Sequence, residues 1–147
     1  MNIKKYSALF LSACGLLALS ILITKSNSPL IKSMETFHVL KSHDFATYIT
    51  EHAAVVIDVR TPEEFATGHL SNAINIDSTA ADFRQQLTAL DKSKKYAIYC
   101  RSGNRSANAL EIMRIMSFTS VVDLEGGIVA WERNHFPTCT DSLTCSD

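Results

Sequence analysis

The sequence predicts an α/β domain whose central sheet is mostly parallel, with about five strands and with helices on both faces. Three observations point there. The run Val55-Val56-Ile57-Asp58-Val59 is apolar without alternation, as in strands buried on both faces of a parallel sheet. Segments with helical spacing separate such runs, so strand and helix alternate along the chain. A content of 46% hydrophobic and 20% charged residues in 147 residues suits one packed domain and excludes a disordered chain.

The elements follow in order. Phe37-His38-Val39-Leu40 reads as the first strand, and Ser42 as the cap of a helix running to about Glu51, with Phe45, Tyr48 and Ile49 inward. The β-branched run 55–59 is the second strand. Thr61-Pro62-Glu63-Glu64-Phe65 then opens a helix: threonine as cap, proline at the first position, glutamate three residues after the cap. Ala73-Ile74-Asn75-Ile76 is a third strand, Asp82 to Leu90 a helix, and Tyr96-Ala97-Ile98-Tyr99 a fourth strand. Asn104 to Met116 reads as a helix with Ala107, Leu110, Met113 and Ile115 as its apolar positions. Ser120-Val121-Val122-Asp123-Leu124 is the last strand, followed by Gly126-Gly127 and a short helix around Trp131, which reads as a core plug.

Ahead of this domain, Tyr6 to Thr24 is a stretch of 19 uncharged residues flanked by Lys4, Lys5 and Lys25. It lacks the polar face of a buried helix and lies between a signal-peptide core and a short membrane span in length. Ala18-Leu19-Ser20 suggests a cleavage site, and Leu11-Ser12-Ala13-Cys14 reads as a bacterial lipobox that would lipidate Cys14. Cleaved signal, retained anchor and lipoprotein all send the domain across a membrane, and the leading lysines fit that orientation. The expected location is therefore the periplasm, free or anchored to the inner membrane. The expected division is a signal or anchor plus linker over 1–28, the domain over 36–137, and a polar tail over 138–147. The net charge of −1, which becomes −4 without the three flanking lysines, gives no field for nucleic acid.

Cys100 falls at the carboxyl end of a predicted strand, where parallel sheets place their ligand sites. It also precedes a helix, so backbone N–H groups of the first turn and the helix dipole favour its thiolate. Arg101 and Arg105 add two cations, and Gly103 lets the loop curl so that successive amides point inward. A thiolate in a cup of donors suits attack on an anionic substrate and would hold a persulfide once formed. The five histidines (His38, His43, His52, His69, His135) have no spacing that pairs two on one helix face beside a carboxylate, so no metal site is expected. His69 is expected to serve the turn before the third strand. Glu63 and Glu64 lie in a first helical turn, where acids favour the dipole, and not as an acid–base pair with Asp58.

The segment Tyr-Cys-Arg-Ser-Gly-Asn-Arg-Ser over 99–106 resembles the active-site loop of single-domain rhodaneses, the thiosulfate sulfurtransferases. Ile57-Asp58-Val59-Arg60-Thr61-Pro62-Glu63-Glu64-Phe65, continuing to Gly68-His69-Leu70 and Ala73-Ile74-Asn75-Ile76, is similar to that family's amino-terminal signature. Leu124-Glu125-Gly126-Gly127, with Trp131 and Pro137, is similar to its carboxyl-terminal signature. The resemblance implies that Cys100 takes the outer sulfur of thiosulfate as a persulfide, releases sulfite, and passes the sulfur to a thiol, cyanide or protein acceptor. It implies substrate contacts from Arg101, Ser102, Gly103, Asn104 and Arg105, with the amides cradling sulfur and the two arginines drawing in the sulfonate. Asp58 and Arg60 match signature positions that are mainly structural, near the loop, and no cofactor is implied.

Loop length separates this reading from its rival. Phosphatases and arsenate reductases of related architecture use Cys-x5-Arg to clamp a tetrahedral oxyanion. Here Arg105 follows four intervening residues, Ser106 holds the x5 position, and Tyr99 stands where the cell-cycle phosphatases carry histidine. Two further readings stay open: a carrier that relays persulfide sulfur to a protein without turnover, and a noncatalytic module. In the tail, Cys139 and Cys145 could close a local disulfide, or Cys139 could resolve the persulfide on Cys100.

Overall fold

The computed structural model describes residues 36–141 and 144–146. The segment 6–24, and with it the signal, anchor and Cys14 readings, lies outside the described residues. Among the described residues no helix is long and apolar enough to cross a membrane.

Five parallel strands form the sheet: β1 (Thr36–Leu40), β2 (Val55–Asp58), β3 (Ile74–Asn75), β4 (Lys95–Tyr99) and β5 (Ser120–Leu124). Their order is β1-β5-β4-β2-β3, which puts β4 at the centre and β1 and β3 at the edges. Five helices cover it: α1 (Ser42–His52), α2 (Pro62–Ala66), α3 (Phe83–Thr88), α4 (Asn104–Ile115) and α5 (Gly127–Arg133). The pleat sorts the core into two layers. Ile57, Tyr96, Ile98 and Val121 pack with Phe83 and Leu87 of α3 and with Ala109, Leu110 and Met113 of α4. Val56, Ala97, Tyr99, Val122 and Leu124 pack on the other face with Phe45 of α1 and Ile128 and Trp131 of α5. The helices on both faces and the continuous apolar runs are thus the same fact.

Several local expectations are corrected. The cap position of α1 is Lys41, which makes no side-chain cap bond. Ser42 is instead the first helical residue, buried, and its Oγ accepts from Asn134 Nδ2 at 3.1 Å. The helix expected over Asp82 to Leu90 is confined to Phe83–Thr88. On α4, Ile115 is 66% exposed, because Ala109, Leu110 and Met113 already fill the inward face. Val59 leaves the ladder of β2 but stays tied to it, its N–H donating to the Tyr99 carbonyl.

The tail is not featureless. Strands β6 (Thr138–Asp141) and β7 (Thr144–Ser146) pair antiparallel and set Cys139 opposite Cys145. Cys139 is buried and disulfide-bonded. Its backbone docks on the loop ahead of β3: His69 N–H donates to the Cys139 carbonyl at 2.8 Å, and Cys139 N–H to the His69 carbonyl at 2.7 Å.

Candidate active site

Three strand ends converge on one loop. Cys100 follows β4 directly, Gly126-Gly127 follow β5, and Arg60 follows β2. Their approach is fixed by hydrogen bonds from the start of α5: Ile128 N–H to the Cys100 carbonyl at 2.9 Å, and Val129 N–H to the Arg101 carbonyl at 3.2 Å. Gly127 makes that approach sterically possible. Its φ is +61°, and a Cβ there would run into the Cys100 carbonyl oxygen and lie 2.6 Å from the Arg101 carbonyl carbon. Gly127→Ala therefore meets both left-handed strain of about 1–3 kcal/mol and a backbone collision that no rotamer relieves. The expected result is a lower denaturant midpoint together with loss of Cys100 reactivity, measured on the same sample. A variant with native midpoint and native alkylation would refute the close approach.

Cys100 is 1% exposed. Its Sγ accepts from Gly103 N–H at 3.1 Å and from the Ser106 hydroxyl at 3.4 Å. Gly103 caps α4 with φ +100°, which turns its amide toward the sulfur. Burial alone would push the thiol up. The Ser106 hydroxyl and the amides of Ser106, Ser102 and Gly103 outweigh it, and the thiol titrates below its ordinary range. The cup is built by backbone groups and one hydroxyl, so its charge complement needs no arginine at the sulfur. Arg101, Ser102 and Asn104 have exposed side chains around this cup.

Arg105 is held elsewhere. Its guanidinium makes a two-pronged pair with Glu64, Nη1 to Oε2 at 2.7 Å and Nη2 to Oε1 at 2.8 Å. Glu64 is itself fixed by the capping box of α2, which the sequence signals: Thr61 Oγ1 accepts from Glu64 N–H, and Glu64 Oε2 from Thr61 N–H. The Arg105 guanidinium holds the Glu64 carboxyl down to about 2, with the Thr61 amide adding to it against some burial. A carboxyl depressed in the folded state stabilises above its ordinary value, and that contribution is lost as pH falls from about 4.5 to about 2. Glu64→Gln should therefore narrow the stability gap between native and variant across that window, read by acid titration of the denaturant midpoint. A gap that stays constant with pH would show the pair to be inert.

Asp58 and Arg60 form a buried unit beside the loop. Arg60 Nε donates to both carboxylate oxygens at 3.0 and 2.9 Å, and Nη2 donates to Oδ2 at 2.6 Å and to the Gly68 carbonyl. Asp58 is 0% and Arg60 5% exposed. Against desolvation, the Asp58 partnership raises the guanidinium further. The guanidinium also stands 5.7 Å from the centre of the Tyr99 ring, whose hydroxyl accepts from Leu70 N–H at 3.0 Å. These contacts position the residue ahead of Cys100. A cleft of about 310 Å³ opens beside the loop, lined among others by Arg60, Glu64, Arg101, Val129 and Glu132. His69 is buried, its Nδ1 3.0 Å from the Phe65 carbonyl and its ring stacked on Phe65, in the turn role expected for it. Among the described residues no group of three or more metal-ligating side chains occurs.

Two contacts of the site are not signalled by the sequence. Ser106 lies six residues beyond the thiol, within the first turn of α4, and the curl at Gly103 brings it to sulfur. For Glu64 the sequence signals the capping box and the helix dipole, and nothing local announces a partner 41 positions away.

Comparison with known proteins follows this geometry. The sequence profile of the Rhodanese-like domain matches residues 41–134. Thiosulfate sulfurtransferase GlpE of Pseudomonas aeruginosa is 35% identical over 98 residues, covering 66% of this chain and 86% of that protein. The uncharacterised protein slr1261 of Synechocystis is 34% identical over 88 residues, covering 60% of this chain and 48% of its own length, so this chain spans about half of that relative. A crystal structure of a rhodanese-related protein from Thermoplasma volcanium superposes with a TM-score of 0.64 at 35% identity, covering 71% of this chain and 99% of that one.

Proposed function

This chain belongs to the family of rhodanese-like domains, and from that premise we propose that it is a sulfurtransferase that carries sulfane sulfur on Cys100. The observation that carries the proposal is the cup around Sγ. Three amides and a hydroxyl aim at one buried sulfur and favour its anionic form. The Cys100 thiolate attacks the outer sulfur of thiosulfate, the new S–S bond forms as the bond to the sulfonate sulfur breaks, and sulfite leaves with the electron pair. The persulfide keeps one negative charge, which the same donors stabilise. A thiol or cyanide acceptor then takes the outer sulfur and regenerates the thiolate. Thiosulfate as donor is supported by the printed name of the Pseudomonas relative and by Arg101 at the cleft.

A relay to a protein acceptor is the second reading, and the engagement of Arg105 by Glu64 favours it. That pairing leaves less positive charge for a sulfonate than the loop sequence promises. Location outside the cytoplasm is supported by the apolar segment 6–24 and by the disulfide at Cys139, since disulfides persist in oxidising compartments. Cys145, opposite Cys139 in the hairpin register, is the partner we assign to it.

The test is intact-mass analysis before and after thiosulfate, coupled to cyanide turnover. A one-sulfur adduct at Cys100 that cyanide removes, with thiocyanate accumulating, is the expected result. An adduct that forms without turnover selects the relay. Absence of any adduct would overturn both.

A further inference from the structure

Asp123 has no part in the chemistry described so far, yet it is 2% exposed and sits close behind the nucleophile. On β5 it pairs in register with Ile98 of β4, so Cys100 is one pleat further along the same face. Its Oδ1 is buried with no hydrogen-bond partner among the described residues. Ser106 is 0% exposed, its Oγ lies 3.4 Å from Cys100 Sγ and 3.1 Å from the Gly103 carbonyl, and its hydroxyl is near enough to the Asp123 carboxyl to favour the charged form against burial. A hydroxyl has one proton to give. A carboxylate, a thiolate and a carbonyl all compete for it.

We propose that Asp123 is a positioning residue for the reactive sulfur: neutral, its O–H donates to Ser106 Oγ and leaves the serine proton on Cys100 Sγ; ionised, it draws that proton away. Two facts support this. Burial pushes the Asp123 carboxyl up to about 6, against the bonds from Ser106 and the Leu124 amide, so both states are populated near neutral pH. An anionic sulfur at Cys100, thiolate or persulfide, further favours the neutral acid, so the two groups titrate as a coupled pair. Apart from Ser106 and the Leu124 amide, no charged group among the described residues acts on Asp123. Ile98 faces it from β4 and Val39 from β1, both apolar. On α4, Arg105 is held by Glu64, and Arg114 pairs with Glu111 at the exposed far end. Glu125, two residues on, is exposed and lines a separate cavity with Lys41 and Ser42.

This inference rests on the sulfurtransferase reading for its meaning, but its test does not need sulfur transfer. In the full chain, iodoacetamide alkylation is followed at the peptide that contains Cys100, so that Cys14, Cys139 and Cys145 do not contribute. The native rate is expected to rise with pH over a broadened, two-step profile. Asp123→Asn keeps the shape with a permanent N–H donor toward Ser106, and should give one steeper step with alkylation about threefold to tenfold faster at pH 7. In a Ser106→Ala background the same substitution should have a clearly smaller effect, because only the direct charge repulsion is left once the connecting hydroxyl is gone. A profile for Asp123→Asn that superposes on the native one overturns the proposal, as does an equal effect in both backgrounds. A second measurement uses no variant: the NMR titration of the Asp123 carboxyl carbon, which should move to lower pH once Cys100 is alkylated and its negative charge removed. An unmoved midpoint overturns the proposal too. Failure of thiosulfate turnover with the coupling intact would instead refute the proposed function alone.

Discussion

Cys100→Ser is expected to reduce sulfur transfer to the level of a buffer blank while the domain stays folded. Oxygen replaces sulfur in the same cup, and Gly103 N–H and Ser106 can still bond it. The serine hydroxyl is not ionised at neutral pH and cannot hold a persulfide, so the donors have no nucleophile to serve. Thiocyanate formation measures the loss, and an unchanged thermal midpoint separates it from unfolding. Turnover retained in this variant would move the chemistry to another residue and refute the mechanism. Cys139 is already removed as a free thiol by its disulfide, and Cys100 is the free cysteine among the described residues.

Asp58→Ala is expected to be the most destabilising of the substitutions considered, at about 3–5 kcal/mol, because it strands a guanidinium that is 5% exposed. The damage should extend to function, since Arg60 also bonds the Gly68 carbonyl and leans on Tyr99, the residue before the nucleophile. The double variant Asp58→Leu, Arg60→Met should lose less than the single one, as replacing a buried pair by apolar groups removes the uncompensated charge. Urea denaturation of the three proteins decides this. A single variant within about 1 kcal/mol of the native protein would mean that water reaches Arg60 and that the pair is not buried in solution.

How much of this was legible beforehand follows the range of the interactions. The capping box at Thr61 and Glu64 spans three residues and is visible as a pattern, and so is the buried strand 55–58. The strand–cysteine–glycine–helix order placed Cys100 at a sheet end over a helix start, which the fold confirms. Interactions that close across the fold were not visible. Glu64 meets Arg105 only because β2 and β4 are neighbours, and Asp123 nears Cys100 only because β4 and β5 are. Ser42 looked like a cap because serine usually is one, but its burial against Asn134 draws it one position into α1. The 138–147 segment is polar in composition, and its hairpin docks through a bridge to His69 rather than through apolar periodicity.

The sheet order also sets a schedule for folding. Strand β1, the first of the domain, pairs only with β5, the last strand of the same sheet, Thr36 lying beside Ser120. The edge cannot form while the chain emerges from a ribosome, because its partner is still unmade, and closing so long a loop comes before any contact rewards it. The β1 edge therefore stays unpaired until β5 is synthesised, and the bonds that fix the Cys100 loop to α5 cannot form before Ile128 and Val129 follow it out.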